Sequence, residues 1–190
     1  VEPAVNRLRI SFTTHGKEEF MAERSGIVTL HGNGLTLTGS PVEVGQKAPD
    51  FTVLDNDLNP KSLADYAGGV LIVSAVPSLD TPVCDMETRR FNTEAANLGD
   101  VTILTISTDL PFAQKRWCGA AGVDKVVTLS DHKDVSFGTN YGLLIKELRL
   151  LARAVLVINK EGAITHQEIV SEVSNEPDYN AAINAAKAAL

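Results

Sequence analysis

The chain is poor in cysteine, in aromatic rings and in positive charge, and each shortage closes off a class of function. Two cysteines among 190 residues are too few for a disulfide-stapled scaffold. They stand far apart, at Cys84 and Cys118, which is neither the Cys-x-x-Cys of a dithiol nor the pairing of a zinc ribbon. His31, His132 and His166 show no ligand spacing, so no metal site is read, and no cofactor is called for. A Cys–His hydrolase would also need an oxyanion hole, and no stretch speaks for one. Aromatics make up only 5%, which disfavours base-stacking platforms. Lys and Arg number 17 against 24 Asp and Glu, a net charge of −7, which argues against nucleic acid or an anionic membrane as partner. No apolar run approaches the ~18 residues of a membrane span. Nor is a basic stretch followed by an apolar core visible at the N-terminus, so no secretory signal is read and a cytoplasmic location is expected.

What is present fits one α/β domain with a sizeable core: 44% of residues are hydrophobic and 22% charged. Residues 1–26 carry balanced charges, and only Leu8–Phe12 alternates; an N-terminal arm, disordered or tag-like, is expected there, with the domain spanning 27–190. Ile27–His31 and Leu35–Thr38 flank Gly32-Asn33-Gly34 and predict a hairpin with a three-residue turn, which Val42–Gly45 could continue. Strands are expected at 51–54, 70–76, 101–107, 126–129, 152–158 and 164–170. Helices are expected at about 82–98, 111–118, 134–141 and 178–190. The strand–helix–strand run from 70 to 107 makes a βαβ unit, hence a mixed sheet with helices on both faces.

The chemistry concentrates between the first strand and helix of that unit, at Pro77-Ser78-Leu79-Asp80-Thr81-Pro82-Val83-Cys84. Thr81 reads as an N-cap, Pro82 as the first helical residue, and Asp85 and Glu87 as negative charge in the opening turns. Cys84 is then the third helical residue, beside unpaired amides at the positive end of the helix dipole, where a thiolate is favoured. A small buried hydrophobe is the plain alternative. Cys118 is expected to end the short helix 111–118, with Gly119 beyond it, so the dipole gives its sulfur no such help. Such asymmetry suits an attacking and a resolving thiol, although two unrelated thiols fit the spacing equally. Arg153 interrupts the otherwise apolar run 150–158. A guanidinium there needs an anion, either a carboxylate or the Cys84 thiolate. Thr81 is equally open: its hydroxyl caps the helix, or it bonds the thiolate or a bound oxygen.

Pro77-x-x-x-Thr81-x-x-Cys84 resembles the active-site motif of peroxiredoxins, and Asp109–Gly119 (DLPFAQKRWCG) resembles the signature of their bacterial thiol peroxidase subfamily, an atypical two-cysteine type. Val28–Asn33, Leu151–Val155 and Asn175–Tyr179 are similar to that subfamily's hairpin, arginine strand and last helix start. The likeness runs from about residue 27 to the C-terminus. It implies a thioredoxin-like fold with an added amino-terminal β-hairpin, a homodimer, and reduction of hydroperoxides at the expense of thioredoxin. It further implies that the Cys84 thiolate, held by the helix start, Thr81 and Arg153 and shielded by Pro77, attacks the peroxide. Cys118 of the same chain would then resolve the sulfenic acid as a disulfide. A redox sensor that passes its oxidation to a partner protein would use the same residues, whereas a non-catalytic thioredoxin-like binding module would have no need of them.

Overall fold

Strands that are apolar on both sides of the pleat must be covered on both faces, as parallel strands inside a sheet are. Val70–Ala75 and Val101–Ser107 are of that kind, and in the computed structural model, which describes residues 22–190, they form the parallel centre of a seven-stranded mixed sheet. In chain order the strands are β1 (Glu23–Leu30), β2 (Asn33–Thr38), β3 (Thr52–Leu54), β4 (Pro60–Ser62), β5 (Val70–Ala75), β6 (Val101–Ser107), β7 (Val127–Ser130), β8 (Leu144–Ile145), β9 (Leu150–Leu151), β10 (Ala154–Ile158) and β11 (Ile164–Ile169). The helices are α1 (Pro82–Ala95), α2 (Pro111–Ala121), α3 (Ser136–Asn140) and α4 (Tyr179–Ala188), with a short 3-10 turn at Leu63–Tyr66.

The large sheet runs β11-β10-β5-β6-β7-β3-β4, with β5, β6 and β7 parallel and the flanking pairs antiparallel. Alternation of side chains divides its core into two layers. Val70, Ile72, Val101, Ile103, Val155 and Val157 face α1, α2 and α4. Leu71, Val73, Leu104, Ile106 and Leu156 face α3 and the ring cluster of Phe51, Phe137 and Tyr141. The expected thioredoxin-like architecture, a mixed sheet with helices on both faces and an amino-terminal hairpin, is the one observed.

The hairpin belongs to a second, four-stranded sheet of order β1-β2-β8-β9, packed through Val28, Leu37, Ile145, Ala152 and Val173. Strand β1 starts at Glu23, inside the stretch read as an arm; the rest of that stretch, 1–21, lies outside the described residues. The turn is shorter than expected: Leu30 pairs with Asn33, leaving His31 and Gly32 at φ 52° and 77°. Two successive positive φ values define the tight two-residue turn whose twist matches that of the flanking strands. Val42–Gly45 is not a strand; the chain turns at Gly45 and only Val42 is buried. Two helix ends also move, the first being that of α1, which stops at Ala95 rather than near 98. Helix α2 runs through Gly119 to Ala121 and stops at Gly122, whose φ of 65° supplies the left-handed cap. The apolar run 150–158 is two strands rather than one: β9 pairs in the small sheet and β10 in the large one, and Ala152-Arg153 is the step between them.

Candidate active site

Strand β5 delivers the chain to Val76, and the Pro77–Thr81 loop leads into α1. The loop is fixed by the carboxylate of Asp109, which accepts from the Ser78 hydroxyl, the Leu79 amide and the Ser107 hydroxyl, each at 2.8 Å. Pro77 is buried. Thr81 occupies the N-cap position with an extended backbone and Pro82 follows as the first helical residue, as expected. The cap bond itself is absent. The Thr81 hydroxyl donates to the Ser78 carbonyl at 2.9 Å, tightening the loop, and makes no hydrogen bond to Cys84 among the described residues. The amides at the start of α1 are therefore left without a side-chain cap next to Cys84, the third residue of the helix.

Cys84 is wholly buried in a cluster with Val76 and Leu79, against which Trp117 packs. One face of its sulfur meets Arg153, whose Nη2 donates to Sγ at 3.3 Å. The same guanidinium donates through Nη1 to Glu87 Oε2 at 2.5 Å and through Nε to the Val173 carbonyl at 3.0 Å. Glu87 takes a further bond from the Ser74 hydroxyl at 2.6 Å. Arg153 is 2% exposed and Glu87 is not exposed at all, so this ion pair lies in the interior. Burial pulls the Arg153 pKa down, but its neighbours Cys84 and Glu87 outweigh that and leave the guanidinium above its ordinary value. Burial pushes the Glu87 carboxyl up, opposed by Arg153 and the Ser74 hydroxyl.

One guanidinium thus meets both a carboxylate and the Cys84 sulfur. Glu87 is the residue that sequence reasoning missed, having read it only as negative charge in the opening turns of the helix. Its spacing from Cys84 carried the signal, since positions i and i+3 share a helix face. Asp109 was likewise seen only as part of a motif.

Cys118 is not part of this group. It sits half-buried on α2, with Sγ 3.3 Å from the Thr128 hydroxyl of β7, and both cysteines are free thiols. Its neighbour Trp117, and not Cys118, reaches the Cys84 cluster. Among the described residues no three or more His, Cys, Asp or Glu side chains gather as a metal site would, and no helix is long and apolar enough to cross a membrane.

The small sheet holds Arg153 from behind. Glu172 accepts from Ser174 Oγ at 2.6 Å, Thr29 Oγ1 at 2.8 Å, and the amides of His31 and Gly32 at 3.0 and 3.1 Å. It thereby fastens the β1–β2 turn to the segment whose Val173 carbonyl orients Arg153. Those donors, the Ser174 hydroxyl first, hold the Glu172 carboxyl far below the usual carboxylate range. A depressed folded pKa contributes stability that is present above the unfolded value, about 4.3, and is lost as pH falls below it. The thermal-stability difference between wild type and Glu172→Gln should therefore be largest near neutrality and shrink on acidification below about pH 4.3. A difference that stays constant with pH would count against the clamp.

A buried cysteine at the start of the helix that follows a central sheet strand, with an arginine donating to its sulfur, defines a thiol redox enzyme on a thioredoxin-like frame. The model of the redoxin family matches residues 43–183. Thiol peroxidase of Halalkalibacterium halodurans is 61% identical over 86% of this chain and 98% of its own length, and that of Bacillus subtilis is 60% identical over 85% and 96%. A peroxiredoxin-like protein from Aquifex aeolicus superposes with a TM-score of 0.80 at 38% identity, covering 90% of this chain and 99% of that one. Thiol peroxidase from Chromobacterium violaceum, at 17% identity and a TM-score of 0.75, shares the fold. The chain belongs to the redoxin family and, within it, to the thiol peroxidases among the peroxiredoxins. It is a peroxiredoxin-type oxidoreductase with thiol-dependent peroxidase activity.

Proposed function

We propose that the chain reduces hydrogen peroxide and alkyl hydroperoxides with Cys84 as the attacking thiol and Cys118 as the resolving one. The observation that carries this reading is the Arg153 Nη2 bond to Cys84 Sγ at the uncapped start of α1. An N–H of a permanently charged guanidinium stabilises a sulfur anion, and the same donor can follow charge onto a peroxide oxygen. Cys84 as thiolate attacks the terminal oxygen, the O–O bond breaks, and the departing oxygen takes a proton to leave as water or alcohol. The sulfur is left as sulfenic acid. Pro77 walls the pocket from water, and the Thr81 oxygen, whose proton points at Ser78, keeps its lone pairs for the incoming peroxide. Apolar Val83 and Phe112 near the two helix starts suit an alkyl group.

Cys118 then attacks the sulfenic sulfur, forming an intramolecular disulfide and releasing water. A disulfide needs Cα atoms within about 7 Å, and Cys118 is bonded instead to Thr128. Closure on this reading takes Cys118 away from Thr128 and moves the part of α2 that carries it. Thioredoxin returns the disulfide to thiols by exchange. A homodimer that covers the exposed Met86, Leu110 and Phe112, which lie on or beside the two cysteine-bearing helices, and a cytoplasmic setting complete the proposal.

Peroxide-dependent NADPH consumption with thioredoxin and its reductase tests it. Wild type should cycle steadily. Cys118→Ser should consume about one peroxide per chain and then stall as sulfenic acid or beyond. Steady cycling by that variant would refute the resolving role, and wild type that is oxidised but never recycled would favour the sensor.

A further inference from the structure

The residue after one cysteine is bonded to the residue before the other. Trp117 Nε1 donates to Asp85 Oδ1 at 3.0 Å. The second Asp85 oxygen takes Arg89 Nε at 2.8 Å, in the same helix. Arg89 then crosses to α2, donating through Nη1 to the carbonyl of Ala121, its last residue, at 2.8 Å. The guanidinium carbon lies 5.6 Å from the centre of the Trp117 ring, within cation–π reach. One arginine on α1 thus holds α2 by its terminal carbonyl and by its indole, and that indole packs against the cluster that contains Cys84.

The character of these contacts matters as much as their number. The Arg89 and Asp85 side chains are 47% and 33% exposed, against 2% and 0% for Arg153 and Glu87. A partly exposed ion pair is individually weak and opens readily, whereas a buried pair does not. The contacts that fix Arg153 are buried. Helix α2 is held near its start by the buried Gln114, which donates to Ser107 Oγ and to the Leu129 carbonyl, but at its Cys118 end by these partly exposed contacts.

We propose that Asp85, Arg89 and Trp117 form a latch that keeps the Cys118 end of α2 docked, and that its opening governs how fast Cys118 reaches an oxidised Cys84. They are positioning residues, and the inference rests on the roles assigned above to the two cysteines. Two reactions compete for the Cys84 sulfenic acid. Attack by the Cys118 thiol forms the S–S bond and releases water. Attack on a second hydroperoxide takes one oxygen from it, giving sulfinic acid and water or alcohol. A tighter latch favours the second, a looser latch the first.

Trp117 is the only tryptophan in the chain, so its fluorescence follows the latch directly. Mixing reduced protein with peroxide in a stopped-flow instrument should give a peroxide-dependent phase, for sulfenic acid formation, and a peroxide-independent one, for closure. Arg89→Ala should speed the second phase about fivefold, the effect of losing one such surface ion-pair set, and lower the sulfinic fraction measured by intact mass at high peroxide. Trp117→Phe, which keeps the ring but loses the N–H, should lower that fraction too. Arg90→Ala, one residue along α1, removes a guanidinium that stacks on Tyr179 of α4 at 4.0 Å, and should change neither phase. Closure unchanged or slowed in Arg89→Ala, or equally quickened in Arg90→Ala, overturns the latch. Cys118→Ser should lose the second phase. If it does while Arg89→Ala behaves as wild type, the latch alone fails; if the phase survives there, the resolving role fails and takes the latch with it.

Discussion

Cys84→Ser is expected to abolish peroxide turnover while leaving the fold intact. Oxygen for sulfur is a small change of volume, and the side chain sits in a cluster of Val76 and Leu79 that tolerates it. The Arg153–Glu87 pair, which does the structural work nearby, is untouched. What is lost is the only group in the cluster that gives a soft anion able to attack an O–O bond. Loss of a covalent nucleophile removes about a thousandfold of rate or more, so NADPH consumption in the coupled assay should fall to the background level. The thermal midpoint should stay within a few degrees of wild type. Turnover persisting in this variant would move the chemistry to Cys118 and undo the assignment.

Arg153→Met is expected to cost both stability and rate, and the two losses can be separated. Removing one partner of a buried ion pair leaves the other unpaired, at a cost of about 3–5 kcal/mol. Glu87 would keep only the Ser74 hydroxyl. The sulfur would lose its charged donor, and removal of one donor aimed at developing charge costs about 10²–10³ in rate. Arg153→Lys should not rescue, because an ammonium is a point charge and cannot reach Val173, Glu87 and Cys84 at once as the planar fork does. Adding Glu87→Leu to Arg153→Met removes the stranded carboxylate and should restore most of the stability but none of the rate. Recovery of the rate in that double variant would show that Arg153 acts on the fold alone.

The legible part of this protein was the local part. A continuous apolar run followed by Thr81, Pro82 and a 3.6-residue pattern specifies strand β5, the loop and helix α1 within a single stretch of sequence, and Cys84 at the helix start follows from it. The pieces that misread depend on partners far along the chain. Thr81 has the sequence of a cap, yet Ser78 holds its hydroxyl, because Asp109 has bent the loop to bring that carbonyl within reach. Arg153 announced itself as a charge needing an anion, but its break between two sheets is visible only once β9 pairs with β8 and β10 with β5. Glu87 looked like ordinary helix charge because nothing nearby in sequence reveals that Ser74 and Arg153 close over it. Gly119 looked like a helix stop, whereas the left-handed cap is three residues on at Gly122.

Oxidation that starts at Cys84 should be passed to Cys118 within one chain. Peptide mapping under non-reducing conditions, after exposure of the reduced protein to one equivalent of peroxide, tests it most directly. A single cross-linked pair of peptides carrying Cys84 and Cys118, in chains that still run as monomers under denaturation, is the predicted result. Peroxide consumed while both thiols remain open to alkylation, or a disulfide that joins two chains, would contradict it.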